Sequence, residues 1–189
     1  MRRFSYTEFM AKDLDPHRLD VRRFAEQGAE LQASERLLSF RRLAAEASGP
    51  EQAGPVHWHA RGQLLNPQHV QPQVWVHLRA EATLPVVCQR CLNPVDVAVA
   101  VDRSFRFVPD EATATAEDDA SEEDLLALSR SFDLLELVED ELLMELPVAP
   151  RHEVCPVPVK MSTIDPGFDA AGAEKEHPFA VLGKMKAGK

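Results

Sequence analysis

The chain has no run of about 18 apolar residues, so no membrane-spanning helix is expected. Its start, Met1-Arg2-Arg3-Phe4, runs into polar and acidic residues rather than the apolar stretch of a secretory leader. Cysteine is scarce. Three residues, an odd number, argue against a disulfide framework and for reduced thiols, and the cytoplasm is the expected location. There is no Gly-rich phosphate loop, no Ser-His-Asp pattern and no isolated carboxylate pair in an apolar setting, so no enzyme is expected. Cations are lacking in the second half: residues 109–189 hold 7 Lys+Arg against 19 Asp+Glu, whereas residues 1–108 hold 14 against 12. With a net charge of −10 the chain is no generic nucleic-acid binder, because phosphate contacts need clustered cations. Any RNA contact must use local patches: Arg22, Arg23, Arg36, Arg41 and Arg42, or the tail with Lys184, Lys186 and Lys189. Solvated helix and strand faces are the plainer reading of these residues.

What is present suits an α+β domain. The 189 residues are 44% hydrophobic and 28% charged, enough to bury a core. Val56, Trp58, Ala60, Gly62 and Leu64 alternate with polar residues, the period of a half-buried strand. Val74 to Val86 and Val95 to Phe107 repeat the pattern on either side of Cys88-Gln89-Arg90-Cys91-Leu92-Asn93-Pro94. The expectation is an antiparallel β-sheet with a long hairpin, strands 73–87 and 94–108, covered on one face by helices.

Asp15 and Pro16 predict the N-cap and first residue of a helix over 17–27, stopped by Gly28. Asp133-Leu134-Leu135-Glu136 predicts the start of a helix over 133–146, which Pro147 ends. Leu134, Leu135, Val138, Leu142 and Leu146 form its apolar stripe, with Glu136, Glu139, Asp140, Glu141 and Glu145 facing out. A single domain over 1–189 is expected, with an acidic mobile loop at 109–125 and an irregular C-terminal tail at 150–189.

The cysteines carry the chemistry. Cys88 and Cys91 form a Cys-x-x-Cys knuckle, and Cys155 lies three residues past His152. A structural zinc site with Cys88, Cys91, Cys155 and His152 as ligands is one reading. A redox dithiol and three reduced cysteines without metal are the others. His57, His59 and His77 read as exposed strand histidines.

Cys88 to Pro94, a Cys-x-x-Cys-Leu-x-Pro knuckle, precedes Val138-Glu139-Asp140-Glu141, which leads through Leu146-Pro147 and Pro150 to His152 and Cys155. Pro178-Phe179-Ala180-Val181-Leu182 stands before the basic tail, and Asp15-Pro16 near the start. In this order the motifs resemble the YceD family, named for large ribosomal RNA subunit accumulation. The resemblance implies a role in synthesis, processing or accumulation of large-subunit (23S) ribosomal RNA, and no catalytic residue. Its implied partners are that RNA or a precursor large ribosomal subunit. Family versions with four knuckle cysteines keep a second pair of which only Cys155 remains here, so either His152 takes the fourth place or the metal is absent. Three functions compete: a biogenesis factor touching RNA through the tail or through Trp75, His77 and Arg79 on the sheet's polar face; an adaptor for a basic ribosomal protein or processing enzyme; and a metal- or redox-sensing regulator.

Overall fold

The computed structural model describes residues 14–158. The chain divides between Val154 and Cys155 into two compact units. The fold is that of the first. Of the second, the described residues 155–158 form neither helix nor strand.

Among the described residues, five strands lie in one sheet in chain order: β1 (Glu30–Arg36), β2 (Pro55–Leu65), β3 (Gln73–Val87), β4 (Pro94–Val108) and β5 (Asp124–Ala127). The first four pair antiparallel, and β3 meets β4 from Val74↔Phe107 to Val87↔Pro94. Period-two burial drives this pairing. Val74, Val76, Leu78, Ala80, Ala82, Leu84 and Val86 are buried, and opposite them so are Val99, Val101, Phe105 and Phe107. The sheet is mixed rather than purely antiparallel, because β5 runs parallel to β4. A parallel neighbour needs a crossover connection, and residues 109–123 supply it.

That crossover is the stretch read as a mobile acidic loop over 109–125. It contains a helix, α3 in the numbering below, capped by Asp110, whose Oδ1 accepts from Thr113 N at 2.8 Å and from Thr113 Oγ1 at 2.8 Å. These bonds hold the Asp110 carboxyl below the ordinary aspartate range. Local side-chain capping, which a composition argument does not register, turns part of an acidic run into a helix.

The helices are α1 (Val21–Glu26), α2 (Arg41–Glu46), α3 (Glu111–Glu117) and α4 (Leu134–Met144). The helix predicted over 17–27 is shorter than expected. Asp15 and Pro16 form a turn instead: Arg18 N donates to Asp15 O, and His17 N to Asp15 Oδ1. Leu19 then pairs with Phe132, and Asp20 takes the cap, accepting from Arg23 N. Gly28, at φ 56°, ends α1 with Gly28 N on Ala25 O and Ala29 N on Phe24 O, a Schellman closure. Gly62 lets α1 sit against β2. A Cβ there would lie 2.6 Å from Phe24 O and 2.7 Å from Phe24 C.

Asp133 caps α4, accepting from Leu135 N and Glu136 N. Leu134, Leu135, Val138 and Leu142 are buried where α4 meets β3, β4 and α2. The acidic face of α4 is not wholly solvated, contrary to expectation. Glu139 and Glu141 are buried. Glu139 accepts from the backbone N–H groups of Arg42 and Leu43 at the start of α2, at 2.6 and 3.0 Å. Glu141 sits 3.3 Å from Arg103 Nε, an arginine in the inward register of β4 between Val101 and Phe105. Burial raises the Glu141 carboxyl, and Arg103 opposes that rise.

Candidate metal centre

The strands β3 and β4 are joined by six residues, and the Cys-x-x-Cys pair lies in that turn. Cys88 N donates to Asn93 O and Leu92 N donates to Cys88 O, both at 2.9 Å. Leu92 takes φ 60°, a left-handed conformation costly for a γ-branched residue and held here by the turn it closes. Cys88 is fully buried and Cys91 half-buried.

The 150–153 segment is fastened to this turn by polar bonds. Gln89 N donates to Pro150 O at 2.8 Å. Arg90 Nη2 donates to His152 O at 2.6 Å and to Glu153 O at 3.2 Å. The two residues between the cysteines read as spacers in the sequence. In the fold they are the clamp. His152 Nδ1 then stands 3.4 Å from Cys91 Sγ. For zinc–sulfur and zinc–nitrogen bonds of about 2.3 and 2.05 Å, a tetrahedral S···N edge is about 3.6 Å. The separation suits two ligands of one ion.

Three of the four predicted ligands belong to the first unit. Cys155 follows as the first residue of the second, three positions after His152. One donor atom from each of Cys88, Cys91, His152 and Cys155 lies within 4.8 Å of the others, and the four form a group able to hold a metal ion. None of the three cysteines is in a disulfide. Cys88 is poised as the thiolate, the form that ligates metal. Burial pushes the Cys88 thiol up, but the backbone groups of Cys91, His152 and Arg90, with the His152 side chain, outweigh it and bring the thiol down to about 5. His152 is raised, chiefly by its hydrogen bond with Cys88. Three soft thiolate donors and one imidazole fit a tetrahedral thiophilic ion and do not fit calcium or magnesium, which take oxygen ligands.

The other predicted contact residues are scattered. Arg22 and Arg23 are exposed on α1, and Arg41 is exposed at the start of α2. Arg42 is committed internally, with Nε 3.0 Å from Glu139 Oε2 and a further pair to Asp140. Lys184, Lys186 and Lys189, and the Pro178–Leu182 motif, lie outside the described residues. On the polar face of the sheet, His77 bonds Ser104 Oγ and Gln63 Oε1 at 2.7 and 2.8 Å, and Arg79 pairs with Asp102 at 3.1 Å. His57 and His59 stand on the same face, His57 exposed and His59 beside Glu30 at 3.5 Å. No helix among the described residues is long and apolar enough to cross a membrane.

No solved structure matches this chain. A family model described as "Large ribosomal RNA subunit accumulation protein YceD" matches residues 76–186, more than half of the chain, spanning the cysteine turn, α4 and the His152–Cys155 pair. On that match the chain belongs to the YceD family.

Proposed function

We propose that this protein is a non-catalytic, cytoplasmic factor that promotes synthesis, processing or accumulation of large-subunit (23S) ribosomal RNA by contacting the RNA in a precursor large subunit. The family match over residues 76–186 carries this reading. In it, the β3–β4 hairpin, covered on its apolar face by α4, is a rigid frame. One zinc ion held by Cys88, Cys91, His152 and Cys155 ties the hairpin tip to the chain that follows α4. The ion's contribution is structural: it cross-links two segments whose donors are already gathered. The clamp bonds from Gln89 and Arg90 support this, since they orient the ligand segment independently of the ion.

The test is co-sedimentation of the purified protein with precursor large subunits, with and without RNase, combined with native mass measurement. Association lost on RNase treatment and one zinc per chain are the expected results. A zinc-free chain that keeps its stability after chelation would remove the metal part, and Cys88→Ser would then be tolerated. A second reading rests on charge. Residues 109–189 hold 7 Lys+Arg against 19 Asp+Glu, a balance that suits a basic ribosomal protein better than RNA. Association that survives RNase favours that adaptor.

A further inference from the structure

Most arginines of the sheet and its surroundings are spoken for. Arg42, Arg61, Arg79 and Arg103 each stand beside at least one carboxylate. Arg106 is only half used. Its Nη2 donates to Glu117 Oε2 at 2.9 Å, but its Nε is buried with no acceptor among the described residues. A buried guanidinium N–H without a partner is costly and calls for a ligand or water oxygen.

Arg106 lines two cavities at the end of the sheet remote from the cysteines, one of about 400 Å³ and one of about 360 Å³. The first also has Arg22 and His69 in its wall, together with Glu117, whose carboxylate already holds Arg106 Nη2. Arg22 is exposed and makes no ion pair among the described residues. The second has Trp75, whose ring lies within 10° of parallel to His77 with centroids 6.4 Å apart. Glu122 and Glu123 also line it. The unpartnered Arg106 Nε and the exposed Arg22 in the first cavity, and Trp75 with Glu122 and Glu123 in the second, describe a ligand with an anionic part joined to a flat part that bears amino groups.

We propose that this end of the sheet seats one unpaired nucleotide of an RNA strand, with its phosphate between Arg22 and Arg106 and its base on Trp75. The proposal deepens the ribosomal RNA role above and rests on it. Bases in a duplex have no free face, so the seat takes single-stranded RNA. Ionised carboxylates accept and do not donate, so the base edge they favour carries an exocyclic amino group, as adenine, cytosine and guanine do and uracil does not. The acidity of the chain as a whole is no obstacle, because the Arg22 guanidinium and the Arg106 Nε that Glu117 leaves unused can bond one phosphate locally.

The experiment is fluorescence anisotropy of the full chain with labelled oligo(A) and oligo(U) over a salt series. Wild type should prefer oligo(A). Arg22→Gln, an exposed change that leaves the core untouched, should weaken binding and make the slope of log K against log salt shallower by about 0.7, the value for one phosphate contact on a single strand. Trp75→Leu should weaken binding about tenfold with the slope unchanged, since stacking releases no counterion. Arg22→Gln and Trp75→Leu proteins that bind as wild type does, while wild type still co-sediments with precursor subunits in an RNase-sensitive manner, would overturn the seat and leave the RNA role standing. Free AMP displacing the oligomer at equal concentration would also overturn the strand assignment. A wild type that binds neither oligomer and keeps its precursor association after RNase would overturn both in favour of the adaptor.

Discussion

Replacing Glu139 by Ala should be among the most damaging single changes in α4, although the sequence places this residue on a solvated face. Its Oε1 accepts from Arg42 N at 2.6 Å and Leu43 N at 3.0 Å, and its Oε2 from Arg42 Nε at 3.0 Å. The carboxylate therefore occupies the start of α2, where the first helical N–H groups have no partner within the helix. Phe40, at the N-cap position, offers no side-chain acceptor. Glu139 does from another element what Asp133 does for α4 from its own. A hydrogen bond to a charged group is worth about 1.5–3 kcal/mol net. Two such bonds to backbone donors, one at the buried Leu43, give about 3 kcal/mol after some rehydration of the Arg42 end. For a chain of this size that is a fall in Tm of about 6–12 °C. The Arg42 ion pair is left out, since that side chain is half exposed and solvent screens it. Glu139→Gln keeps one acceptor oxygen and should lose about 1 kcal/mol. Urea melts followed by far-UV circular dichroism measure both. An Ala variant within about 1 kcal/mol of wild type would mean that water caps α2 as well as Glu139 does, and the argument would fail.

Leu142, fully buried, should cost about 2–5 kcal/mol on truncation to Ala in the same melts, and a near-zero loss would mean the helix packs loosely. Gly62→Ala should cost about 1–3 kcal/mol, because its Cβ would meet the Phe24 backbone rather than a side chain able to swing away; differential scanning calorimetry should show the shift. The raised Glu141 carboxyl has a signed pH consequence. The folded chain holds this proton to higher pH than the unfolded chain does, so stability falls as pH climbs from the ordinary glutamate range through the raised value. Glu141→Gln removes that slope, and its stability relative to wild type should rise with pH across the window in paired denaturant titrations. His17, raised chiefly by its hydrogen bond to Asp133, has the same sign in its own range: its contribution is complete below the ordinary histidine range and disappears as pH rises through the raised value. His17→Gln should flatten this, an effect kept small by exposure of the ring.

The strands were legible because their burial has the period of the backbone itself. Every second residue from Val74 to Val86 is buried, and no long-range knowledge is needed to see it. The ligand set was legible in part for the same local reason, since Cys88 and Cys91 share one turn, while the approach of His152 depends on Gln89 and Arg90 bonds that no spacing announces. The error about Glu139 and Glu141 had an available signal. Arg103 occupies an inward position of β4, between Val101 and Phe105, and an arginine in that register demands a carboxylate from whatever packs above it. Reading α4 alone, as a helical wheel, puts all its acids outside. Reading β4 with it obliges one of them to turn in. The acidic stretch at 109–125 was misread in part for a different reason. Composition weighs apolar area against chain entropy, and it misses a cap such as Asp110 or an ion pair such as Arg106–Glu117.

The two candidate sites stand at opposite ends of the same pair of strands. From Trp75 to Cys88 the chain runs along β3, roughly 40 Å at about 3.3 Å per residue. The register from Val74↔Phe107 to Val87↔Pro94 is unbroken, so the strands offer no second arrangement that a metal at one end could select at the other. Coupling between distant sites needs an element with two states whose balance both sites bias. Chelation should therefore loosen the 150–155 segment, seen as faster amide exchange there, while the affinity for oligo(A) and its salt slope stay unchanged. Cys88→Ser should behave like chelation in both assays. A loss of RNA affinity on metal removal would place part of the RNA contact at the cysteine turn itself, beside Arg90, rather than at the Arg22–Arg106 end. That outcome separates a frame that the ion only braces from one in which the ion shapes the binding surface.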